Sequence, residues 1–376
     1  MNELKKRTWA EISLANIRHN YESIRKTLPE GCRFLGVVKA DAYGHGAVRV
    51  AKMLEEAGAD YLAVACLDEA LELRRGGVKM PVLILGHTPE EYTETLIDNN
   101  ITQNAADPEK AGKYSEACRK LGKTLRVHLS MDTGMSRVGF QSAEEPTEED
   151  IGQIEAACRL PGLDVEGIFT HFAVSDEAGE ENEAYTRRQF IRFTGMIEKL
   201  AQRGITFKIR HCANSGATLH YLPEMALDMA RPGLLLYGYG DGENRLGLKP
   251  CMRLMTRIAA VRQYEPGTTV SYGRHYKTEK QERIGVLGIG YADGLHRAAS
   301  GKALFCLGET EIPQVGNICM DMCMVNLDGA PEAEAGSEVE IFGEHARLER
   351  LADTAGTITY ELLCSVSKRV PRIYED

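Results

Sequence analysis

The sequence has no excess of positive charge and no long hydrophobic run. Its 45 lysines and arginines are outnumbered by 55 aspartates and glutamates, which leaves a net charge of −10. This balance argues against nucleic acid as the main partner. No apolar run reaches the roughly 20 residues of a membrane-spanning helix, and the N-terminal residues lack the apolar segment of an export signal. We therefore expect a cytoplasmic protein that binds neither nucleic acid nor membranes.

A metal-binding pattern of cysteines is also missing. The ten cysteines are scattered along the chain and mostly stand in apolar surroundings. Cys319 and Cys323 are close in sequence, and His211 precedes Cys212, but neither spacing is that of a zinc site. We expect the thiols to be reduced and the protein to hold no metal.

The chain is longer than one compact core usually requires. Its 376 residues include 43% hydrophobic and 27% charged residues, a composition typical of soluble globular proteins. A chain of this length generally divides into two domains. The pattern predicts them at residues 12–240 and 241–376, with an N-terminal strand in residues 1–11 that belongs to the second domain.

In the first domain, short apolar runs alternate with segments of helical spacing. This alternation predicts a (β/α)8 barrel of the TIM type. The strand-like runs are Arg33–Ala40, Tyr61–Cys66, Val82–Gly86, Ile101–Ala105, Leu125–Met131, Val165–Phe172, Phe207–Ala213 and Leu227–Arg231. The helical segments include Ala47–Ala57, Leu67–Arg75, Pro89–Asn99, Pro108–Leu121, Glu148–Arg159 and Asn182–Arg203.

After Gly240 the pattern changes to short strands separated by glycines and prolines, with no long helix between them. It predicts a second, mainly β domain, and a short helix near Tyr360–Ser367. Before the barrel, Arg7–Ser13 has the pattern of an isolated strand. The predicted strands of the β domain are Met255–Gln263, Thr269–Tyr272, Arg283–Gly290, Ala303–Leu307, Met324–Leu327 and Glu338–Phe342.

The stretch Phe34–Gly46, FLGVVKADAYGHG, places Lys39 at the end of a buried strand. Apolar neighbours would lower the pKa of its amine and free the lone pair. Such a lysine can form a Schiff base with an aldehyde. For a lone lysine, the alternative is a strand-end side chain that points into water.

Further polar residues follow the ends of the predicted barrel strands. A barrel gathers these ends on one face, where catalytic residues lie. Taken singly, the arginines could form surface ion pairs, the histidine could be structural, and the Asn-Ser pair could cap a helix. Because all of them follow the carboxyl ends of barrel strands, a catalytic site is favoured over these separate roles. These residues are Arg137, His171, Asn214, Ser215 and Arg231.

Nine motifs are spread from Val37 to Glu361: VVKADAYGHG, MDTGMSRVG, THFA, HCANSG, MARPGLLLYG, VSYG, GIGYADG, GNICMDM and GTITYE. Together they resemble the alanine racemases, which depend on pyridoxal phosphate (PLP). The resemblance covers nearly the whole chain. It implies a barrel with a β domain, PLP as cofactor, and interconversion of L- and D-alanine, with D-alanine supplied to cell-wall synthesis.

The resemblance also implies contacts with the cofactor and the substrate. Lys39 would carry PLP as a Schiff base, and His171 would orient other site residues. The implied cofactor contacts are Lys39, Tyr43, Arg137, His171, Asn214, Ser215, Arg231, Gly233, Leu234 and Tyr360. The implied substrate contacts are Arg137, Tyr291 and the backbone N–H of Met320.

Arg231 corresponds to the residue that bonds the pyridine nitrogen of PLP in this family. Arginine has only donors, so the nitrogen must accept and stays unprotonated. This weakens the ring as an electron sink and suits a brief proton exchange at Cα. A decarboxylase of the same general fold, which gains from an acidic partner, is a weaker alternative.

The resemblance assigns the two proton-transfer groups to Lys39 and Tyr272. A racemase needs one group on each face of Cα. Tyrosine is a poor base at neutral pH unless nearby cations lower its pKa, and Arg231 and His171 would supply that field. In the family the tyrosine comes from the partner subunit, which implies a homodimer with shared active sites. Taken alone, Tyr272 would be an ordinary strand aromatic.

The chain departs from the family pattern at two positions. Ser130 stands where many members have a lysine that becomes carbamylated and holds the arginine at Arg137, so a small anion such as chloride is expected in its place. Met322 stands where many members have glutamine. Both departures leave open a serine or broader amino-acid racemase. A non-catalytic PLP-binding protein is a further alternative, although such proteins lack the β domain, and a barrel that binds no PLP is the last.

Overall fold

The computed structural model of the protein describes residues 6–242 and 244–375. The chain forms two compact units. The first contains Arg18–Ala42 and Ala47–Leu248, and the second contains the chain up to Ile17, Tyr43–Gly46 and the chain from Lys249 onward. Residues 1–5 of the predicted N-terminal strand lie outside the described residues. The domain bounds expected from the sequence, 12–240 and 241–376, stay a prediction.

The first unit is a barrel of parallel strands arranged in chain order, which confirms the predicted (β/α)8 fold. Met229 pairs with Arg33, so the last strand lies beside the first. Backbone bonds from Asp228 to Arg210 (3.0 Å) and from Arg231 to Ala213 (2.8 Å) join the seventh and eighth strands. The strands are Arg33–Val37, Tyr61–Val64, Val82–Ile84, Ile101–Ala105, Leu125–Asp132, Leu163–Phe169, Ile209–His211 and Met229–Ala230.

Helices connect the barrel strands, and local signals set several of their ends. Asp107 accepts a hydrogen bond from the backbone N–H of Lys110, with Pro108 at the first helical position. Thr147 and Asp150 form a capping box. The helices are Leu14–Arg25, Ala47–Ala57, Leu67–Arg75, Thr93–Asp98, Pro108–Leu121, Glu148–Cys158, Glu180–Gln202 and Ser215–His220, with 3-10 turns at Glu90–Tyr92 and Leu234–Tyr237. The predicted helix Pro89–Asn99 is therefore divided.

Six barrel strands end earlier than the sequence predicted. The second ends at Val64, the third at Ile84, the seventh at His211, and the eighth at Ala230, one residue before Arg231. The first ends at Val37 and the sixth at Phe169, so Lys39 and His171 lie in the segments that follow rather than at the strand ends. After the first strand, Lys39–Tyr43 forms a turn in which Ala40, Asp41 and Ala42 have φ of 52–54°. This left-handed backbone cannot continue a sheet.

The second unit contains one large mixed sheet. Six of its strands close on themselves, because Glu282–Leu287 pairs with both Cys323–Asn326 and Met252–Tyr264. The strand order is Glu282–Leu287, Cys323–Asn326, Thr310–Val315, Leu304–Leu307, Glu338–Phe342, Met252–Tyr264, Thr8–Ser13 and Arg372–Glu375. Thr269–Val270 and Tyr276–Lys277 form a separate hairpin.

The predicted mainly β character of this unit is confirmed, with corrections. The N-terminal strand Thr8–Ser13 is not isolated, because it pairs with Met252–Tyr264 and with Arg372–Glu375. The helix Leu348–Ala355 was not predicted, whereas the terminal helix is present as Thr359–Ser365. In the described part of the chain, no helix is both long and apolar enough to cross a membrane.

Candidate active site

Three predicted cationic site residues of the barrel unit act on a fourth predicted site residue, His171. Burial and the positive charges of Arg231, Arg137 and Lys39 lower the pKa of His171 to about 3. The imidazole is therefore neutral at neutral pH, so His171 does not supply the positive charge that the sequence analysis expected from it near Tyr272. Because three cations act on one ring, the carboxyl ends of the first, fifth, sixth and eighth strands contribute to a common positive cluster.

Lys39 begins the left-handed turn. The Ala40 N–H that follows it donates to Glu69 Oε1 at 2.7 Å, and the Asp41 side chain accepts from the Ala47 N–H at 2.7 Å. A left-handed conformation costs an L-residue about 1–2 kcal/mol, and such strain persists only where the surroundings hold it. Glu69 and Asp41 supply two of those holding contacts.

Arg231 is a buried cation that is bonded by neutral groups. Its Nη2 donates to the carbonyl oxygens of Thr170 (2.9 Å) and Cys212 (3.1 Å). Nδ1 of His171 lies 3.3 Å from Nη2, and Nδ1 of His211 lies 3.1 Å from Nη1. Among the described residues, no carboxylate lies within salt-bridge distance of this guanidinium.

Arg231 remains charged in these surroundings. Its side chain is 4% exposed. Burial lowers its pKa to about 10, although the Cys212 thiol opposes this change. A protonated arginine without an acidic partner fits a ligand that accepts a hydrogen bond or carries negative charge.

The Asn-Ser pair after the seventh strand has two separate local roles. Asn214 is the N-cap of the helix Ser215–His220, because its side chain accepts from the Ala217 N–H at 3.0 Å. Ser215 Oγ accepts from the Gly233 N–H at 2.8 Å. That bond places Ser215 beside the segment of Gly233 and Leu234 named from the sequence.

Arg137 lies in an exposed loop after the fifth strand. Asp132 Oδ1 shapes this loop by accepting from the backbone N–H groups of Gly134 (2.9 Å) and Ser136 (3.0 Å). Ser130 is buried in the strand before the loop, and its hydroxyl oxygen has no hydrogen-bond partner within residues 6–242 and 244–375. A buried polar atom of this kind usually binds water or an ion.

In the second unit, Tyr43 and Tyr360 lie together, with ring centroids 6.0 Å apart. Burial, helped by the nearby phenol of Tyr360 and thiol of Cys364, raises the pKa of Tyr43 well above its usual value. Tyr43 therefore keeps its proton and can act as a hydrogen-bond donor.

Tyr272, Tyr291 and Met320 are exposed on three linked loops of the same unit. Their side chains are 74%, 44% and 53% exposed. Asn317 Nδ2 donates to the Tyr272 carbonyl at 2.7 Å, and the Tyr291 N–H donates to the Cys319 carbonyl at 3.0 Å. Tyr272 begins a 3-10 turn, whereas the sequence predicted it at a strand end.

Several residues around the site were not identified from the sequence. His128 and Glu166 are internal to barrel strands, and Glu69 is on a helix. Histidine and glutamate inside apolar strands, as in VHLSM and VEGIF, are a usable signal because such groups need buried partners. The described residues contain no group of three or more histidine, cysteine and acidic side chains arranged to hold a metal.

Two family sequence models match the chain. The N-terminal domain model of alanine racemase matches residues 12–241, and the C-terminal domain model matches residues 251–374. The chain belongs to the alanine racemase family. Family membership makes it a PLP-dependent isomerase.

Individual relatives match over nearly their full length. Alanine racemase 1 of Clostridium acetobutylicum is 43% identical over 374 residues, covering 97% of this chain and 95% of that protein. The alanine racemase of Clostridium difficile has a TM-score of 0.93 at 42% identity, covering 99% of this chain and 97% of that one. The Bacillus anthracis enzyme with bound L-Ala-P has a TM-score of 0.90 at 33% identity, covering 98% and 95%.

The donor set of the barrel unit fits PLP. Lys39 offers an amine for the aldehyde, and Arg231 offers donors without a carboxylate partner in the described chain. Ser215 and the backbone N–H groups near Gly233 are the small donors that a phosphate requires. Which of these residues contact the cofactor stays a prediction.

Proposed function

We propose that this protein interconverts L- and D-alanine by proton exchange at Cα on bound PLP, and so supplies D-alanine for cell-wall synthesis. The observation that carries the proposal is the cluster of Lys39, Arg137 and Arg231 around the neutral His171, in a chain that belongs to the alanine racemase family.

PLP, when bound, withdraws electrons from Cα and makes its proton more acidic. Lys39 would hold the cofactor covalently and Arg231 would donate to its pyridine nitrogen. The phosphate would be held by donors from several segments, with Asn214 fixing the start of the helix beside them. These donors are Tyr43, Ser215, Gly233, Leu234 and Tyr360.

Two side chains would exchange the proton. Lys39 Nζ would take or return it on one face of Cα, and Tyr272 Oη would act on the other. Arg231 supports a simple exchange, because a donor-only partner leaves the pyridine nitrogen unprotonated. The same point argues against the decarboxylase alternative.

The substrate carboxylate would lie between Arg137, the Met320 backbone N–H and Tyr291. The planar guanidinium of Arg137 suits a carboxylate because it donates two parallel hydrogen bonds. A serine or broader specificity is the second candidate. It is favoured by Met322, whose 49% exposed side chain replaces the glutamine of many relatives.

We further propose a cytoplasmic homodimer with shared active sites. In the second unit, Tyr272, Tyr291, Met320 and Met322 expose large apolar side chains. Exposed apolar surfaces of this kind commonly mark contacts with another protein or a ligand. A partner subunit would cover these loops and complete both sites.

The deciding experiment is a racemisation assay of the purified protein with a panel of L-amino acids. L-alanine should be converted fastest, Lys39→Ala should abolish the reaction, and borohydride should attach the cofactor to Lys39. Release of CO2 without racemisation would establish the decarboxylase instead, and preference for L-serine would establish the second candidate.

A further inference from the structure

Behind Arg231, a line of four side chains runs through the barrel unit. Nδ1 of His211 lies 3.1 Å from Arg231 Nη1, and Nε2 of His211 lies 2.9 Å from Nδ1 of His128. Nε2 of His128 lies 3.3 Å from Glu166 Oε2. Both histidines are 0% exposed, so water cannot replace any of these bonds.

The two ends of this line impose one arrangement of protons. Arginine can only donate, so His211 Nδ1 must accept. A neutral His211 then carries its proton on Nε2 and donates to His128 Nδ1. A neutral His128 likewise carries its proton on Nε2, and it donates to Glu166. A carboxylate only accepts. The bond from His128 to Glu166 therefore requires the same proton positions as the bond from Arg231 to His211.

The electrostatics favour the charge states that this arrangement needs. Burial lowers the pKa of both His128 and His211, and the positive charge of Arg231 lowers both further. Glu166 acts to raise the pKa of His128, but burial outweighs it. Burial alone would raise the pKa of Glu166, but hydrogen bonds from His128 and Tyr61 lower it below its usual value. The imidazoles are therefore neutral and the carboxylate is charged.

The backbone provides space for the line. Val127 pairs with Val165 and His128 pairs with Gly167, so Glu166 is the extra residue of a β-bulge. Bulges redirect a side chain and are often found near active sites. A Cβ atom on Gly167 would lie 2.8 Å from His128 Nδ1, so only glycine leaves room for this ring.

The carboxylate at the far end is itself held in place. Tyr61 Oη donates to Glu166 Oε2 at 2.9 Å, and the same hydroxyl lies 2.8 Å from Thr102 Oγ1. Arg126 Nε lies 3.7 Å from Glu166 Oε1. These contacts keep an oxygen of Glu166 directed at His128.

We propose that Glu166, through His128 and His211, is the positioning residue that holds the Arg231 guanidinium in one orientation. The role of Arg231 at the cofactor ring rests on the proposed function. The line of bonds does not, because it is formed by the chain alone. Hydrogen bonds in such a series polarise one another. The negative charge of Glu166 therefore strengthens the hydrogen bond between His211 and Arg231, although both imidazole rings between them are neutral.

The first test uses the full-length protein with nitrogen-15 in its histidine rings. Long-range proton–nitrogen NMR correlations distinguish the two neutral tautomers, and His128→Gln and His211→Gln identify the signals by their loss. Both histidines should carry the proton on Nε2. A proton on Nδ1, or a doubly protonated ring, at either position would overturn the inference.

The second test is Glu166→Gln, which removes the negative charge at the far end of the line. Because Arg231 still fixes both tautomers from its own end, we expect the proton to stay on Nε2 in both histidines. The nitrogen-15 shift of His128 Nε2 should change as its acceptor loses charge, and the visible absorption band of the bound cofactor should shift. Loss of a hydrogen bond to a charged group should lower kcat about tenfold, with KM for alanine little changed. Glu166→Asp keeps a charged group that can only accept, so His128 and His211 should both keep the proton on Nε2.

Glu155→Gln is the matched control. Glu155 also accepts hydrogen bonds from two side chains of the barrel unit, Arg159 and Arg203, but it lies outside the line. The Glu155→Gln substitution should leave the histidine signals and the absorption band unchanged. Wild-type signals and absorption in Glu166→Gln would refute the inference. An inactive wild type with the expected tautomers would refute the proposed function alone.

Discussion

Gly167 lies so close to His128 that a Cβ atom on it would stand 2.8 Å from Nδ1 of the ring and 2.7 Å from the carbonyl oxygen of Ile209. Contacts this short are not tolerated between real atoms. The missing side chain is therefore part of what allows a histidine to lie inside the barrel.

Gly167→Ala should destabilise the protein, because the ring or the neighbouring strand must move. Overpacking of this kind costs about 1–3 kcal/mol. The control is Gly152→Ala on the helix Glu148–Cys158, where the added Cβ meets nothing within 4 Å. That change should stabilise by about 1 kcal/mol, because alanine is the better helix former. Urea unfolding measures both, and equal effects of the two variants would contradict the prediction.

Ala40→Gly should stabilise the left-handed turn after Lys39. Ala40 is exposed and has a φ of 52°. Glycine removes a strain of about 1–2 kcal/mol, and its greater freedom in the unfolded chain offsets about 0.5–1 kcal/mol. Ala184→Gly, at an exposed position inside the helix Glu180–Gln202, should destabilise by about 1 kcal/mol instead. A loss of stability in both variants, measured by urea unfolding, would show that the turn is not strained.

His171 should make stability depend on pH. Its pKa is about 3 in the folded protein and about 6.5 in an unfolded chain. Between these values only the unfolded state binds the proton, so the contribution of His171 is present above pH 6.5 and is lost as the pH falls. The loss is about 1.4 kcal/mol per pH unit. His171→Gln should reduce the slope of unfolding free energy against pH by about that amount, and an unchanged slope would contradict the assignment.

Ser130 should make alanine binding depend on chloride. Its buried hydroxyl oxygen has no partner among the residues that the structure describes, and a serine cannot supply the charged brace of a carbamylated lysine. Replacing chloride by gluconate at constant ionic strength should raise KM for alanine more than it lowers kcat, because uniform binding is weakened. Ser130→Lys should remove this dependence if the lysine becomes carbamylated. Indifference to both changes would mean that Arg137 is held in another way.

Mixed subunits should test the shared active sites. Lys39→Ala and Tyr272→Phe should each be inactive as homodimers. Mixing them in equal amounts should restore roughly a quarter of wild-type activity, because random assortment gives one complete site in each mixed dimer. Tagged subunits confirm the exchange, and the absence of activity after confirmed exchange would place both groups on one chain.

Local sequence determined most of the secondary structure. The helices Ala47–Ala57, Leu67–Arg75 and Pro108–Leu121 and the strands Ile101–Ala105 and Glu338–Phe342 have the bounds that the pattern predicts. Helical spacing and apolar runs act over a few residues, so they can be read without knowing the fold. The barrel followed from their alternation.

Other elements were set by long-range pairing. Thr310–Val315 contains Pro313 and alternates poorly, yet it forms a strand because Leu304–Leu307 and Cys323–Asn326 lie on either side of it. Thr8–Ser13 has the pattern of an isolated strand but lies between Met252–Tyr264 and Arg372–Glu375. Neighbouring strands can stabilise a segment whose own propensity is weak.

The sequence by itself predicted Lys39, Arg137, His171 and Arg231 as site residues, because the family motifs and the ends of predicted strands both pointed to them. It could not place Glu166 against His128. That contact depends on a one-residue bulge and on the space left by Gly167. Both are properties of two strands brought together by folding, and a shift of one residue in a strand turns every side chain to the other face.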